Sequence, residues 1–594
     1  MTDLTRRTLV KTSLAGIALT GLATSAAPAS AAPSAVPLVR KRLTLPTGIA
    51  TGDVTTDSAV LWSRASGPGR LTALVQAVDS SGAILRGRYG FSRTIRGPLA
   101  TEASDFTAKI HATGLPAGTR FALELNFEDE NGAGEAVRGT FSTAPGKHDD
   151  GPEDGRGGGR PSSSSQSFVW TGDTAGQGWG INEDLGGMRG YKAMHATRPD
   201  FFIHSGDTIY ADGPIAATVT EKDGQVWRNI VTEEVSKVAE TLKEYRGRHR
   251  YNSLDANMRA MFADVPVIAQ WDDHETTNNW YPGEILDDPR YTERNVNVLA
   301  ARGRQAWQEN MPIADAAALW RPGKVDAGQY QPARIYRKIS RGPQLDIFCL
   351  DMRTFKSPNT DGKEPYATNI LGQEQVDWLI KEVRKSKATW KVIAADLPLG
   401  IIVPDGAVNQ ESLANRDHGA PLGRELEIAG VLSAFKKYGV KNTVWLTADV
   451  HYCAAHHYAP SGPPSRTSTP SGSLLPGRST RAHSVPVRWT VPSDQKLCSP
   501  RPGASRANHR VMVKTSTSGT WTWPPTACLL RASVTPTVRC CIQRRLLRNA
   551  EQGIFLGGAP VKFPATGAHL ALGSSNTAIG RKPAAGLTVP KLLS

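Results

Sequence analysis

Phe201-Phe202-Ile203-His204-Ser205-Gly206-Asp207-Thr208-Ile209-Tyr210 is an apolar run that breaks at a glycine and continues into an acid and a phenol. A short apolar run bounded by a turn signal reads as a buried strand. Three other stretches have the same build. Phe168-Val169-Trp170 leads into Thr171-Gly172-Asp173, and Val265-Pro266-Val267-Ile268-Ala269-Gln270-Trp271 leads into Asp272-Asp273-His274-Glu275. Val444-Trp445-Leu446 leads into Thr447-Ala448-Asp449-Val450-His451. Ligand sites in α/β sheets gather beyond the carboxyl ends of strands, so these loops are expected to converge. Carboxylates confined to one small volume repel one another unless cations neutralise them, so the pattern reads as a metal site. Oxygen, imidazole and phenol donors favour hard cations over thiophilic ones.

The surroundings of these runs give an α/β reading from Ser167 onward. Helical stripes are expected at Gln373–Lys387, with Val376, Leu379 and Val383 on one face. A second is expected at Arg424–Tyr438, with Ile428, Val431, Leu432 and Phe435, closed by Gly439. Strands alternating with helices imply sheets flanked by helices. Upstream, residues 42–145 read as short strands separated by turns such as Gly67-Pro68-Gly69 and Pro116-Ala117-Gly118, the pattern of a small β-sandwich. Residues 146–166, with Gly157-Gly158-Gly159 and Ser162-Ser163-Ser164-Ser165, read as a flexible linker.

The N-terminus reads as an export signal over residues 1–31. Thr5-Arg6-Arg7-Thr8-Leu9-Val10-Lys11 precedes an apolar stretch and an Ala29-Ser30-Ala31 cleavage pattern, in the manner of a twin-arginine signal. This predicts the Tat export machinery as a partner and an extracytoplasmic, secreted location. Past that segment no apolar run reaches the roughly 18 residues of a membrane span, so no stable membrane anchor is expected. The net charge of +15 does not call for a nucleic-acid partner. From Ser461 onward there are 18 Lys and Arg against the acids Asp494 and Glu551; the chain before it therefore holds 70 − 18 = 52 bases and 55 − 2 = 53 acids. Residues 459–594 are rich in Ser, Pro, Arg and Thr and hold four of the six cysteines. We read this tail as an out-of-frame translation beginning near Pro460, in preference to a basic low-complexity extension. It is then expected to lack the strands that finish the core, which leaves a sheet edge uncovered and opens the class of a catalytically inactive metal- or phosphate-binding product.

Several motifs resemble the alkaline phosphatase D (PhoD) family of metallophosphoesterases over about residues 44–458. They are Ser205–Tyr210, Trp271–Glu275, Ala448–His451, Arg248-His249-Arg250-Tyr251, Glu309-Asn310-Met311-Pro312, Leu350-Asp351-Met352-Arg353-Thr354 and Leu371–Leu379. The resemblance implies an α/β metallophosphoesterase core of two sheets flanked by helices, preceded by a fibronectin type III-like sandwich. It implies a secreted phosphomonoesterase or phosphodiesterase that uses Fe(3+) and Ca(2+), with phospholipase D-like relatives. Carried across, Asp207 is the bridging carboxylate, Tyr210 the ferric phenolate ligand, Asp273 a metal ligand, and His451 a ligand with Asp449 alongside. Asp173 stands near the place of a cysteine in many relatives and is read as its replacement. His274 is the proton donor beside the phosphate. Arg248 and Arg353 are expected to clamp phosphate oxygens. His204 is expected to pack, and His456 and His457 are further candidates.

Overall fold

The computed structural model describes residues 42–146, 166–174, 177–221, 223–314, 332–417 and 419–451, and the backbone of strands Ala454–Tyr458, Val485–Pro486, Leu530–Val534 and Gly553–Gly557. The export signal at 1–31, linker residues 147–165 and the side chains of His456 and His457 lie outside the described residues.

Two seven-stranded sheets carry the architecture. The first contains β1 (Ile49–Gly52), β2 (Ser58–Arg64), β3 (Thr107–Thr113), β4 (Gln166–Thr171), β5 (Phe201–Ser205) and β6 (Val267–Gln270). Its spatial order is Leu530–Val534, β4, β5, β6, β1, β2, β3. Strands β4, β5 and β6 run parallel. The second sheet holds β7 (Arg337–Ser340), β8 (Leu345–Cys349), β9 (Trp390–Ala394) and β10 (Thr443–Thr447), followed by Gly553–Gly557, Ala454–Tyr458 and Val485–Pro486. Strands β8, β9 and β10 are parallel.

Apolar side chains on both faces explain why these strands sit inside. Phe168, Trp170, Phe201, Ile203 and Ile268 meet Ile339, Ile347, Val392 and Leu446 in one buried cluster between the sheets. Cys349 belongs to that cluster and is ordinary core. The alternate residues Val169, Phe202 and Val267 point the other way, into a core shared with Met194, Met258, Met261 and Leu299. On the far side, Phe348, Ile393 and Trp445 pack against the helices Gln373–Lys385 and Arg424–Lys437 through Val376, Leu379, Val383, Ile428, Val431 and Phe435. Each such side chain contributes roughly 1.5–3 kcal/mol by leaving water.

Residues 42–145 have their own core, built from Leu61, Leu71, Val75, Ile110, Phe121, Leu125 and Phe141 among others. Three of their strands also continue the first sheet: β1 pairs in parallel with β6 at Gly52 and Val267, and β2 and β3 follow it. Gly52 permits this approach: a Cβ there would stand 2.3 Å from the Pro312 carbonyl oxygen and 2.7 Å from that of Val267.

Two segments of the tail pair with the sheets. Leu530–Val534 pairs antiparallel with β4, and Gly553–Gly557 lies between β10 and Ala454–Tyr458. Ladder bonds use only backbone N–H and C=O groups, which any sequence supplies, and an open strand edge templates their pairing.

Candidate metal centre

The four acidic loops leave the carboxyl ends of β4, β5, β6 and β10, so the site spans both sheets. Two glycines set how close the loops come. A Cβ on Gly172 would stand 2.6 Å from Ala448 Cβ, and one on Gly206 would stand 2.3 Å from Asp272 Cβ. Asp173, Asp207, Asp449 and His451 all adopt left-handed backbone, with φ of 62°, 51°, 68° and 55°. That conformation costs about 1–2 kcal/mol for a residue with a Cβ, and here it recurs at the chemistry-bearing positions. Glu275 ties two loops together: its carboxylate accepts the backbone N–H of Asp207 at 3.2 Å, of Thr208 at 2.5 Å and of Asp272 at 2.7 Å.

The side chains then fall into three overlapping groups, each with donor atoms within 4.8 Å of one another: Asp173, Asp207 and His451; Asp207, Asp273 and His274; Asp272, Asp273 and Asp449. Asp207 belongs to the first two and Asp273 to the last two. The Tyr210 hydroxyl lies 2.9 Å from His451 Nε2 and 3.4 Å from Asp173 Oδ1, which joins it to the first group. The Tyr210 and His274 rings lie against each other at a tilt of 30°, with centroids 4.3 Å apart. His274 Nδ1 is 2.6 Å from Asp212 Oδ1.

Burial and neighbouring charge decide the protonation states. Burial, then the carboxylates of Asp273, Asp272 and Asp173, holds Asp207 well above the usual carboxylate range. Burial raises Asp449 and Asp272 as well, assisted in each by adjacent acids. Burial and Asp207 push the Tyr210 phenol far up. Burial also disfavours ionisation of Asp173 and Asp273, but His451 beside the first, and His274 and Arg353 beside the second, outweigh it and lower both. For His274 burial opposes the charge, yet Asp212 and Asp273 prevail and lift it to about 10. Carboxylates outnumber cations here, and the chain alone relieves the repulsion only by protonating some of them.

The two arginines differ from expectation. Arg248 does not reach the carboxylate groups with its Nη atoms: one donates to the Gly213 carbonyl at 2.6 Å and the other to that of Lys237. It braces the segment after Tyr210, because buried carbonyls without helix or sheet partners recruit the nearest fork of donors. Arg353 is fully buried and enclosed by acids, pairing with Asp272 and Glu411, with Asp396 at 3.2 Å, Asp449 at 3.7 Å and Asp273 at 3.8 Å. A guanidinium so surrounded is a counter-ion of the cluster and not a free phosphate clamp. His204 is buried with Nε2 2.7 Å from Thr174 Oγ1, a packing role.

Sequence reading did not assign Asp212, Asp396, Glu411 or Lys356. Asp396 had the recognisable signal, since Val392-Ile393-Ala394-Ala395-Asp396 is another apolar run ending in an acid. Asp212 and Glu411 follow no such run. Lys356 reaches the site by accepting enclosure: burial lowers it to about 8 despite the opposing pull of Glu411, with which it forms a 2.9 Å ion pair.

The donor set suits hard cations. It offers carboxylate oxygen, imidazole and phenol, with no thiol among the described residues of the cluster. Asp272 Oδ2, Asp273 Oδ1 and Asp449 Oδ2 are buried and make no hydrogen bond, which leaves lone pairs for a metal to satisfy.

Stacked mixed sheets with helical flanks and this acidic site at the strand ends define an α/β phosphoesterase fold. The solved structure of PhoD superposes with a TM-score of 0.51 at 22% identity, over 70% of this chain and 73% of that one. Purple acid phosphatase PPD1 from yellow lupin (Lupinus luteus) seeds gives 0.39 at 13% identity over 69% and 59%, a likeness too low to carry weight. The family model described as PhoD-like phosphatase matches residues 168–486, and the one for the PhoD-like phosphatase N-terminal domain matches 30–145. The chain belongs to the PhoD-like phosphatase family. Alkaline phosphatase D of Bacillus subtilis (strain 168) is 30% identical over 270 residues, a stretch that spans 44% of this chain and 42% of that protein's length.

Proposed function

We propose that this protein hydrolyses phosphate mono- or diesters at the cluster of Asp173, Asp207, Tyr210, Asp273, His274, Asp449 and His451. The observation that carries the reading is the sharing of Asp207 between two donor groups, which suits a carboxylate bridging two cations. We assign Fe(3+) to the side of Asp173, Tyr210 and His451, and Ca(2+) to the side of Asp273 and Asp449. Bound there, such cations would supply positive charge against the phosphate oxygens and a lowered pKa for a bound water.

The chain's own residues do the rest. Asp212 on Nδ1 fixes the His274 ring and keeps it protonated, so its other nitrogen can give a proton to the departing oxygen. Tyr210, packed against that ring at a tilt, limits its rotation. Arg353 balances Asp272 and Glu411 and so keeps the β6 loop in place.

We place the working enzyme outside the cytoplasm, exported by the Tat machinery on the strength of the Arg6-Arg7 signal. The N-terminal sandwich we assign to the fibronectin type III-like class from its Leu115–Phe121 corner. Turnover of p-nitrophenyl phosphate and its bis-ester, before chelation and after restoring Fe(3+) and Ca(2+), tests the reading. Activity lost on chelation and regained on reloading supports it; a fully loaded protein that turns over neither ester refutes it.

A further inference from the structure

Asn279 sits in the loop that follows β6 and holds a left-handed backbone, with φ of 57°. That conformation is disfavoured for a residue with a Cβ and persists where the surroundings hold it. Bonds from several segments do so. Asn279 Nδ2 donates to Asp405 Oδ1 at 3.0 Å. Its carbonyl accepts from Asn359 Nδ2 at 2.7 Å and from Lys356 Nζ at 3.2 Å. Its backbone N–H donates to Asp273 Oδ2 at 2.5 Å.

The Lys356 side chain is wholly buried, and its ammonium has three N–H groups to place. One meets Glu411 Oε1 at 2.9 Å, and the others meet the carbonyls of Asn279 and, at 3.3 Å, Trp280. None is left over for a substrate phosphate, so Lys356 acts on the loop. Asp273 receives the result. Its Oδ2 is held by the Asn279 N–H, while Oδ1 is buried and makes no hydrogen bond. Asp273 shares one donor group with Asp207 and His274 and another with Asp272 and Asp449.

Resting on the metal assignment above, we infer that Lys356 and Asn359 are positioning residues for the Ca(2+) side of the centre: they fix the Asn279 peptide, whose N–H holds Asp273 with Oδ1 free for the cation. A ligating carboxylate depends on such outer hydrogen bonds for its orientation. Asp173, Tyr210 and His451, on the side assigned to iron, contact one another and take no part in these bonds. The effect therefore falls on one cation and spares the other.

The test titrates Ca(2+) into the iron-loaded protein by calorimetry, with iron per chain read by elemental analysis. Lys356→Met keeps the bulk of the side chain and removes its donors. It is expected to weaken Ca(2+) binding by about ten- to a hundred-fold with iron unchanged. Asn359→Ala removes the shorter bond to the same carbonyl and is expected to weaken it by about two- to ten-fold. This milder variant decides the matter if Lys356→Met does not fold. Unaltered Ca(2+) affinity in either folded variant, or parallel loss of iron and Ca(2+), overturns the positioning role and leaves the metal assignment standing. A wild type that takes up iron but no Ca(2+) overturns both. A wild type that holds neither metal overturns the metal centre itself.

Discussion

The hydroxyl of Tyr210 lies 2.9 Å from Nε2 of His451, across 241 residues of chain and from one sheet to the other. The two side chains leave β5 and β10, so their meeting depends on the stacking of the sheets as much as on either motif. If both serve one ferric ion, Tyr210→Phe is expected to abolish the visible charge-transfer band of the iron-loaded protein and to lower kcat by about an order of magnitude. A loaded variant that keeps its band removes Tyr210 from the ligand set.

Glu275 is expected to matter through the loops it ties and not through contact with substrate. Glu275→Gln presents amide hydrogens to backbone N–H groups that the carboxylate now accepts. Metal affinity should fall by about ten- to a hundred-fold. Metal retained after dialysis against a competing chelator, measured by elemental analysis, reads this out. Unchanged retention argues that the loops hold without Glu275.

Asp53 and Arg337 form a bidentate ion pair at 2.7 and 2.8 Å, joining the N-terminal strands to β7 in the interior. Asp53→Ala strands a buried guanidinium and should cost about 3–5 kcal/mol, seen as a lower guanidinium chloride midpoint. Replacing both partners by apolar residues should cost much less. Equal losses in the single and double variants would show that the cost comes from losing the pair itself and not from the stranded guanidinium.

His249 offers a pH-dependence with a clear sign. Burial is its main perturbation, with Arg250 adding to it, and together they lower it to about 3. The folded state therefore binds this proton less readily than the unfolded state, whose histidine titrates near pH 6.5. Its stability contribution is complete above pH 6.5 and is lost as pH falls from there toward 3, by about 1.4 kcal/mol per pH unit. Melting temperature against pH should decline less steeply over this window in His249→Gln. Identical slopes in the two proteins would assign acid lability to other groups.

The strands Leu530–Val534 and Gly553–Gly557 cover β4 and connect β10 to Ala454–Tyr458. Deleting residues 530–557 should open both edges and promote self-association, measured by light scattering alongside melting temperature. A monodisperse deletion variant with unchanged melting temperature would show that these pairings add no stability.

Residue patterning was enough to specify the strands and the chemistry placed at their ends. Phe201-Phe202-Ile203 and Val267-Ile268-Ala269 are apolar on both faces, and burial of both faces is available only within a covered sheet. Glycines at 172 and 206 marked the turns where Asp173 and Asp207 follow, because only a residue without a Cβ permits those approaches. Tertiary structure alone decided what surrounds the acids. Arg353 is a counter-ion because Asp272, Asp396 and Glu411 reach it from separate segments, and a side chain's charge partners depend on distance in space, which local patterning does not encode. Asp212 is the partner of His274 for the same reason. The joining of the N-terminal strands to the catalytic sheet likewise rests on the parallel pairing of β1 with β6. Backbone ladder bonds between them need no distinctive side chains, so the sequence of either strand left their partnership unspecified.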